Sequence, residues 1–433
     1  MRLSVQKSTL KGNVSIPGSK SHTIRAVAIA SLADGQSIIK NPLISSDAMS
    51  AVECYSALGA DINTKNPKEW VVNGVGGQIS SPADQIDVGN SGTTIRLAAG
   101  SAALSYHTDP IILTGDKQIQ SRPIEPLLAS LRDLGANAKS VNDNGKAPIS
   151  ITGRLKGGKT TIECVTSQYL SSLLLACPLA ENDSEIIVSH LNEPDYVQMT
   201  LDWLDKQNIN YDNLNFKKFI IPGGQSYTNF ESAVPADFSS ATFFLCAGAV
   251  LDAEITLFGL DFADSQPDKA VVDYLIEMGA DITVTGNMDG AGMDAVTVKS
   301  AQLHGTEIDM NRTPDALPAM AVTAAMAEGT TKFVNVAQAR NKETDRIKCM
   351  AEELAKMGIE AEELPDGLVV HGGKIKAAEV DGHDDHRIVM ALSLAGMAAG
   401  GETVIDTAEA MNVTFPTYVE LMTSLGAKLE LKE

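Results

Sequence analysis

Four cations stand just behind helix-start signals: Lys20 and Arg25 in GSKSHTIR, Arg96 in NSGTTIR and Arg387 in DDHR. The same positions along the chain carry Ser21; Asn90, Ser91, Gly92 and Thr93; Thr166, Ser167 and Gln168; Asp237, Ser239 and Ser240; Pro314 and Asp315; and Asp385 and His386. A helix start offers unpaired N–H groups and about half a positive charge, so it favours an anion by ~0.3–1 kcal/mol. Hydroxyls and Asp at such places are explained by capping alone. Cations are not, because a positive charge in a first turn is unfavourable unless an anion or acidic partner compensates it. Any one Arg fits a structural ion pair. The recurrence of the placement in a chain of net charge −21 favours a site for small anions.

A second charged set is formed by Arg122-Pro123-Ile124, Asp195-Tyr196, and Arg340, Lys342, Glu343, Asp345 and Arg346 in ARNKETDRIKCM. The i to i+4 spacing of Lys342 and Arg346 predicts both cations on one helical face, with Glu343 about 100° away. A solvated charged face is the plain alternative, and the shared repeat position of these segments favours a site. The cysteines, Cys54, Cys164, Cys177, Cys246 and Cys349, include no close pair and no Cys-His cluster, so neither a disulfide framework nor a zinc site is indicated. Small buried apolar residues in a reducing compartment are expected.

These residues must be positioned by a repeat. An apolar helical run closing on Gly59, Gly135, Asn208, Gly279, Gly358 or Gly426 is followed each time by a short alternating segment, so six units of roughly seventy residues are present. Gly or Asn just past a helix is the usual left-handed terminator, and alternation has the period of a strand. Before each marker lies a polar cluster, an apolar helix rich in Ala, Gly and Ser, a turn and a β-branched strand. The module reads βαβαββ, with its first helix buried. Six units make either a solenoid or two domains of three. The Gly/Pro-rich stretch between Lys217 and Glu231, and another from Lys11 to Ser21, favour two: residues 1–13 with 231–433, and 14–230 inserted. The class is α/β.

Charge and composition bound the function. The 44% apolar and 21% charged content is that of a folded chain rather than a disordered one. An excess of acid repels nucleic acid and anionic membrane. No stretch approaches the ~18 apolar residues of a spanning helix, and MRLSVQKSTL lacks a signal peptide's apolar core. A cytoplasmic address is expected.

Seven segments together resemble one family. PGSKS (17–21) with Arg25, GNSGTTIR (89–96), SRPI (121–124), TSQYL (166–170), PDA (314–316), KETDR (342–346) and DHR (385–387) stand in the order seen in the 5-enolpyruvylshikimate-3-phosphate synthases, a match that spans nearly the whole chain. The resemblance implies two similar domains, each of three βαβαββ repeats with buried parallel helices, and an active site in the cleft between them. It implies transfer of the carboxyvinyl group of phosphoenolpyruvate to the 5-hydroxyl of shikimate 3-phosphate through a tetrahedral ketal, a step toward aromatic amino acids. Glyphosate would compete for the phosphoenolpyruvate site. No metal or organic cofactor is implied, the partners are these two small molecules, and a monomer is expected.

Carried over by position, the resemblance places shikimate 3-phosphate on Lys20, Ser21, Arg25, Thr166, Ser167, Gln168, Tyr196, Asp315, Gln338 and Lys342. Phosphoenolpyruvate falls to Lys20, Asn90, Gly92, Arg122, Gln168, Arg346, His386 and Arg387. Asp315 and Glu343 become the acid/base pair, with Lys20 or His386 sharing the proton work. Three positions depart from the family: Val413 where a lysine is common, Glu193 where a serine is expected, and Thr166 for a serine. Two other functions fit the architecture, namely a UDP-amino-sugar enolpyruvyl transferase and a non-catalytic paralogue that binds an anionic metabolite. The first resembles a protein with a reactive Cys before its Arg-Pro, which GDKQIQSRPI lacks. The intact Asp315 and Glu343 argue against the second.

Overall fold

A computed structural model describes residues 1–80, 82, 84–286 and 294–433. In chain order its helices are α1 (Lys20–Leu32), α2 (Ser46–Ala57), α3 (Gly92–Ala102), α4 (Lys117–Ser121), α5 (Glu125–Asp133), α6 (Ser167–Ala176), α7 (Pro194–Lys206), α8 (Phe238–Val250), α9 (Ala270–Glu277), α10 (Leu317–Ala325), α11 (Arg346–Lys356), α12 (His386–Ala398) and α13 (Tyr418–Ser424). Six of them, α1, α3, α6, α8, α10 and α12, are buried along nearly their whole length. Their Ala, Ser and Gly content permits that, since small side chains let neighbouring elements close in on every side. The longer outer helices bury one stripe, as in α7 with Val197, Leu201 and Leu204 inside.

The strands form six four-stranded sheets among the described residues. Each begins with a parallel pair and continues with two antiparallel neighbours. Gly158–Cys164, for example, runs parallel to Ser184–Leu191, which pairs antiparallel with Lys218–Ile221 and that with Asp212–Leu214. The predicted markers end the helices as expected: Gly59, Gly135, Gly279, Gly358 and Gly426 all have positive φ, and Asn208 joins them at 54°. This left-handed conformation is tolerated by Gly and Asn.

The chain divides into two compact units, Met1–Pro17 with Pro235–Glu433, and Gly18–Val234. Each has its own apolar core. The crossings lie beyond the expected 13/14 and 230/231, and strand pairing is the reason. Leu10–Ser15 adds parallel to Ala253–Leu260, which keeps it in the first unit, whereas Glu231–Ala233 adds parallel to Gln36–Lys40 in the second. Arg2–Gln6 lies between Glu402–Asp406 and Lys428–Lys432, so the two ends of the chain share one sheet.

Candidate active site

In the second unit the starts of three buried helices are tied together by the predicted side chains. Ser19 caps α1, and Lys20 directly after it meets Asp47 of α2 at 3.1 Å. Arg25 lies a turn deeper than a first-turn cation and is 2% exposed. Its Nε donates to Thr200 Oγ1 and its Nη2 to the Tyr196 carbonyl, both at 2.9 Å, while Nη1 reaches the Ser21 carbonyl at 3.0 Å. These acceptors are all neutral, and burial pulls the guanidinium down to about 10. A buried cation so held favours an arriving anion. Arg96, also in a second turn, donates to Gln168, whose amide nitrogen donates to Thr93 at 3.0 Å. Asn90 donates to Asp116 at 2.7 Å and to Gln118 at 2.6 Å. Arg122 follows α4 rather than opening α5, and a Cβ built on Gly92 would stand 2.8 Å from its Nη1.

Thr166 caps α6, as its type predicts. Glu193, in a left-handed conformation at φ 57° and 2% exposed, brings its carboxylate to the same place. There it accepts from the Ser167 hydroxyl at 2.8 Å, the Ser167 N–H at 3.3 Å and the Thr166 hydroxyl at 3.5 Å. A carboxylate thus lies at the helix start that the resemblance gives to a phosphate.

The first unit gathers the second set. Lys342 and Arg346 do not share a helical face, because Asp345 caps α11 and the helix begins only at Arg346. Instead they converge on Asp315, at 3.5 Å and 2.8 Å, with Arg387 at 3.3 Å. Burial would raise the Asp315 carboxyl, yet Arg387, Lys342 and Arg346 hold it well below the usual carboxylate range. The Arg346 guanidinium also binds Glu343, and Asp385 holds it through Nε at 2.8 Å and Nη2 at 3.2 Å. Burial would lower its pKa, and the three carboxylates Asp385, Glu343 and Asp315 more than reverse that. His386 is buried beside Asp385 at 3.8 Å. Gln338 donates to the Asn311 carbonyl at 2.9 Å.

The two candidate acid/base carboxylates are therefore bridged by one guanidinium. Sequence reasoning missed Asp47, whose signal was an acid in the first turn of α2. It also missed Asp268, a buried acid that accepts from Ser239 and whose carboxyl is pushed up to about 6, chiefly by burial. Of the described residues, Glu352, Glu353 and His383, and Glu360, Glu362 and His371, bring possible metal-ligating atoms within 4.8 Å. In the first group the Lys356 ammonium already lies 2.8 Å from both Glu353 oxygens.

A family model described as EPSP synthase (3-phosphoshikimate 1-carboxyvinyltransferase) matches residues 5–422. The chain belongs to the EPSP synthase family. Curated relatives named 3-phosphoshikimate 1-carboxyvinyltransferase are 52% identical in Ruminiclostridium cellulolyticum and in Acetivibrio thermocellus, each over 100% of both chains. A 43% identical relative of the same name, from Methanocella arvoryzae, covers 99% of both. Among solved structures, EPSP synthase from Acinetobacter baumannii superposes with a TM-score of 0.84 at 29% identity over the full length of both chains. The two-domain EPSP synthase fold is thus the fold of this chain. Nothing among these relatives favours the UDP-amino-sugar transferase or a non-catalytic relative. Val413 ends a short 3₁₀ helix, Ala408–Val413, that packs against α12. It brings no charge there, and no described helix is long and apolar enough to cross a membrane.

Proposed function

We propose that this chain joins phosphoenolpyruvate to the 5-hydroxyl of shikimate 3-phosphate, releasing phosphate. The observation that carries the mechanism is Asp315, kept ionised by Arg346, Lys342 and Arg387 and linked to Glu343 through Arg346. In the first half-reaction the substrate oxygen bonds to C2 of phosphoenolpyruvate, the hydroxyl proton leaves and the methylene carbon takes one. In the second, a methyl proton leaves, the C2–O bond to phosphate breaks and the vinyl ether remains. An acid/base pair must handle both protons. Asp315 serves the hydroxyl and Glu343 the methylene, with Lys20 and His386 assisting.

Shikimate 3-phosphate takes Lys20, Ser21, Arg25, Thr166, Ser167, Gln168, Tyr196, Asp315, Gln338 and Lys342. Phosphoenolpyruvate takes Lys20, Asn90, Gly92, Arg122, Gln168, Arg346, His386 and Arg387. The two substrates bring two carboxylates and two phosphates, roughly −5 to −6 in total. Lys20, Arg25, Arg122, Lys342, Arg346 and Arg387 supply the opposing charge through charge-assisted bonds. A cytoplasmic monomer that avoids nucleic acid completes the proposal. Its test is phosphate release on mixing the enzyme with both substrates. Release that requires shikimate 3-phosphate supports it; release with UDP-N-acetylglucosamine instead, or with neither acceptor, overturns it.

A further inference from the structure

Outside this set lies a buried carboxylate that the mechanism does not use. Glu353, two turns beyond Arg346 on α11, is 1% exposed. Its Oε2 accepts the Asp381 N–H at 3.0 Å and its Oε1 faces His383 Nε2 at 2.8 Å. Both partners belong to the short segment that enters α12, and the backbone there is strained. His383 and Asp384 are consecutive non-glycine residues in the left-handed region, each at φ 53°, a conformation such residues hold only when their surroundings impose it. Gly382 before them has no room for a side chain, since a Cβ would come within 2.3 Å of Val389.

Directly after this turn come the residues of the candidate site. Asp385 caps α12 through the Arg387 N–H at 2.8 Å and grips Arg346, while Arg387 reaches Asp315. The turn is stitched by the His383 N–H to Asp381 at 2.7 Å, the Asp384 N–H to Thr407 at 3.1 Å and the Asp385 N–H to the Gly382 carbonyl at 2.9 Å. The Glu353–His383 bond, the Asp381 N–H on Glu353 and Cys349 against the imidazole join α11 to this turn. Seven residues of helix separate Glu353 from Arg346, about 10 Å at 1.5 Å per residue, so Glu353 acts at a distance from the reacting atoms.

We infer that Glu353 and His383 form a clamp that holds the left-handed turn and thereby positions Asp385, His386 and Arg387 for phosphoenolpyruvate. They are positioning residues, and their link to that substrate rests on the function proposed above. Burying one full carboxylate is compensated here by two cationic partners and a backbone donor. The groups facing the imidazole are Cys349 and Glu353 of α11 and Asp381 of its own segment, and together they keep it charged, with its pKa raised to about 10.

The test uses Glu353→Gln, His383→Asn, their double variant and Lys356→Met. Steady-state kinetics with each substrate varied are combined with hydrogen exchange of the 382–387 amides. Local openings and ångström-scale misplacements have effects of about tenfold or more. Glu353→Gln and His383→Asn should each speed exchange in that segment about tenfold and raise KM for phosphoenolpyruvate by a similar factor. kcat and KM for shikimate 3-phosphate should stay within about twofold, the double variant should add little to either single one, and Lys356→Met should change neither readout. Unchanged exchange in both single variants, or equal rises in both KM values, overturns the clamp. If the unsubstituted enzyme releases no phosphate, the proposed function fails, and the exchange arm still decides the clamp.

Discussion

Replacing Glu193 with Gln should make this enzyme bind shikimate 3-phosphate more tightly. The carboxylate accepts three hydrogen bonds at the start of α6, the place proposed for the substrate's phosphate. Two outcomes are open when that phosphate arrives. If Glu193 stayed, two anions about 4 Å apart would repel by ~4 kcal/mol per pair of unit charges under surface-like screening. If it leaves, the charge-assisted bonds it surrenders are worth ~1.5–3 kcal/mol each, but the same donors then bond the incoming phosphate, so the net cost is about that of one such bond. Displacement is the less costly course, so the penalty is the smaller figure, or about one to two decades in Kd. Glu193→Gln keeps the shape and an acceptor oxygen but removes the charge, and it should recover about tenfold. Glu193→Ser should recover at least as much, at a stability loss of ~1 kcal/mol for the lost hydrogen bonds to Ser167 and Thr166. Calorimetric titration with shikimate 3-phosphate, repeated with inorganic phosphate, measures both, while kcat at saturation should barely move. Weaker binding by Glu193→Gln would refute the reasoning, because Glu193 would then be a partner of the substrate rather than its competitor.

Asp315→Asn and Glu343→Gln should each cut kcat by ~10²-fold or more, the usual scale of a positioned acid or base. Circular dichroism should show both still folded, and a near-normal kcat would remove that residue from the chemistry. Val413→Lys should lower KM for phosphoenolpyruvate and strengthen glyphosate inhibition by about one to two decades, since a charge-assisted hydrogen bond is worth ~1.5–3 kcal/mol; no change in either constant at fixed ionic strength would show that another residue fills the role. Gly92→Ala should raise KM for phosphoenolpyruvate, because the added methyl would lie 2.8 Å from Arg122 and 3.0 Å from Arg96 and both guanidinium ends must shift; crystallography of the variant would show whether they do. Asp268, with its carboxyl pushed up to about 6 by burial and by Asp315 and Asp237, binds a proton more readily folded than unfolded. Its contribution to stability is therefore full below about pH 4 and lost as the pH rises through 6. Asp268→Asn should flatten that part of the melting-temperature profile, and an unaltered profile would count against the shift.

The repeat was legible because its signals are local. A left-handed terminator, a small-residue helix and an alternating strand each depend on neighbours in sequence, so each of the six copies carries its own signals and marks its own helix starts. Strand exchange was not legible: Leu10–Ser15 pairs with Ala253–Leu260, more than two hundred residues away, and Glu231–Ala233 pairs back with Gln36–Lys40. Composition near a break cannot say on which side a strand will pair, and the unit boundaries moved for that reason. The site divides along the same line. Residue types at helix starts identified Lys20, Arg25, Thr166, Asp315 and Arg387 from local pattern. The partners that set their chemistry come from elsewhere in the chain, as Asp47 does for Lys20 and Asp385 for Arg346.

Helical spacing misplaced Lys342 because a cap at Asp345 starts α11 late, yet the lysine still reaches Asp315 from the preceding loop. What holds the first unit's cations is a set of carboxylates drawn from two repeats: Asp315 and Glu343 of the fifth and Asp385 of the sixth all converge on Arg346. Cations at helix starts are tolerated there because acids of the same repeat and of its neighbour surround them. In the second unit Lys20 has its acid in Asp47, but Arg25 donates to neutral groups. An incoming anion therefore gains more from Arg25, held by neutral acceptors, than from Arg346, whose bonds to Asp315, Glu343 and Asp385 it would have to compete with. On that ground shikimate 3-phosphate, proposed to bind Arg25, should bind the ligand-free enzyme more tightly than phosphoenolpyruvate does. Equal affinities of the two substrates measured singly by calorimetry would contradict this account of the charges.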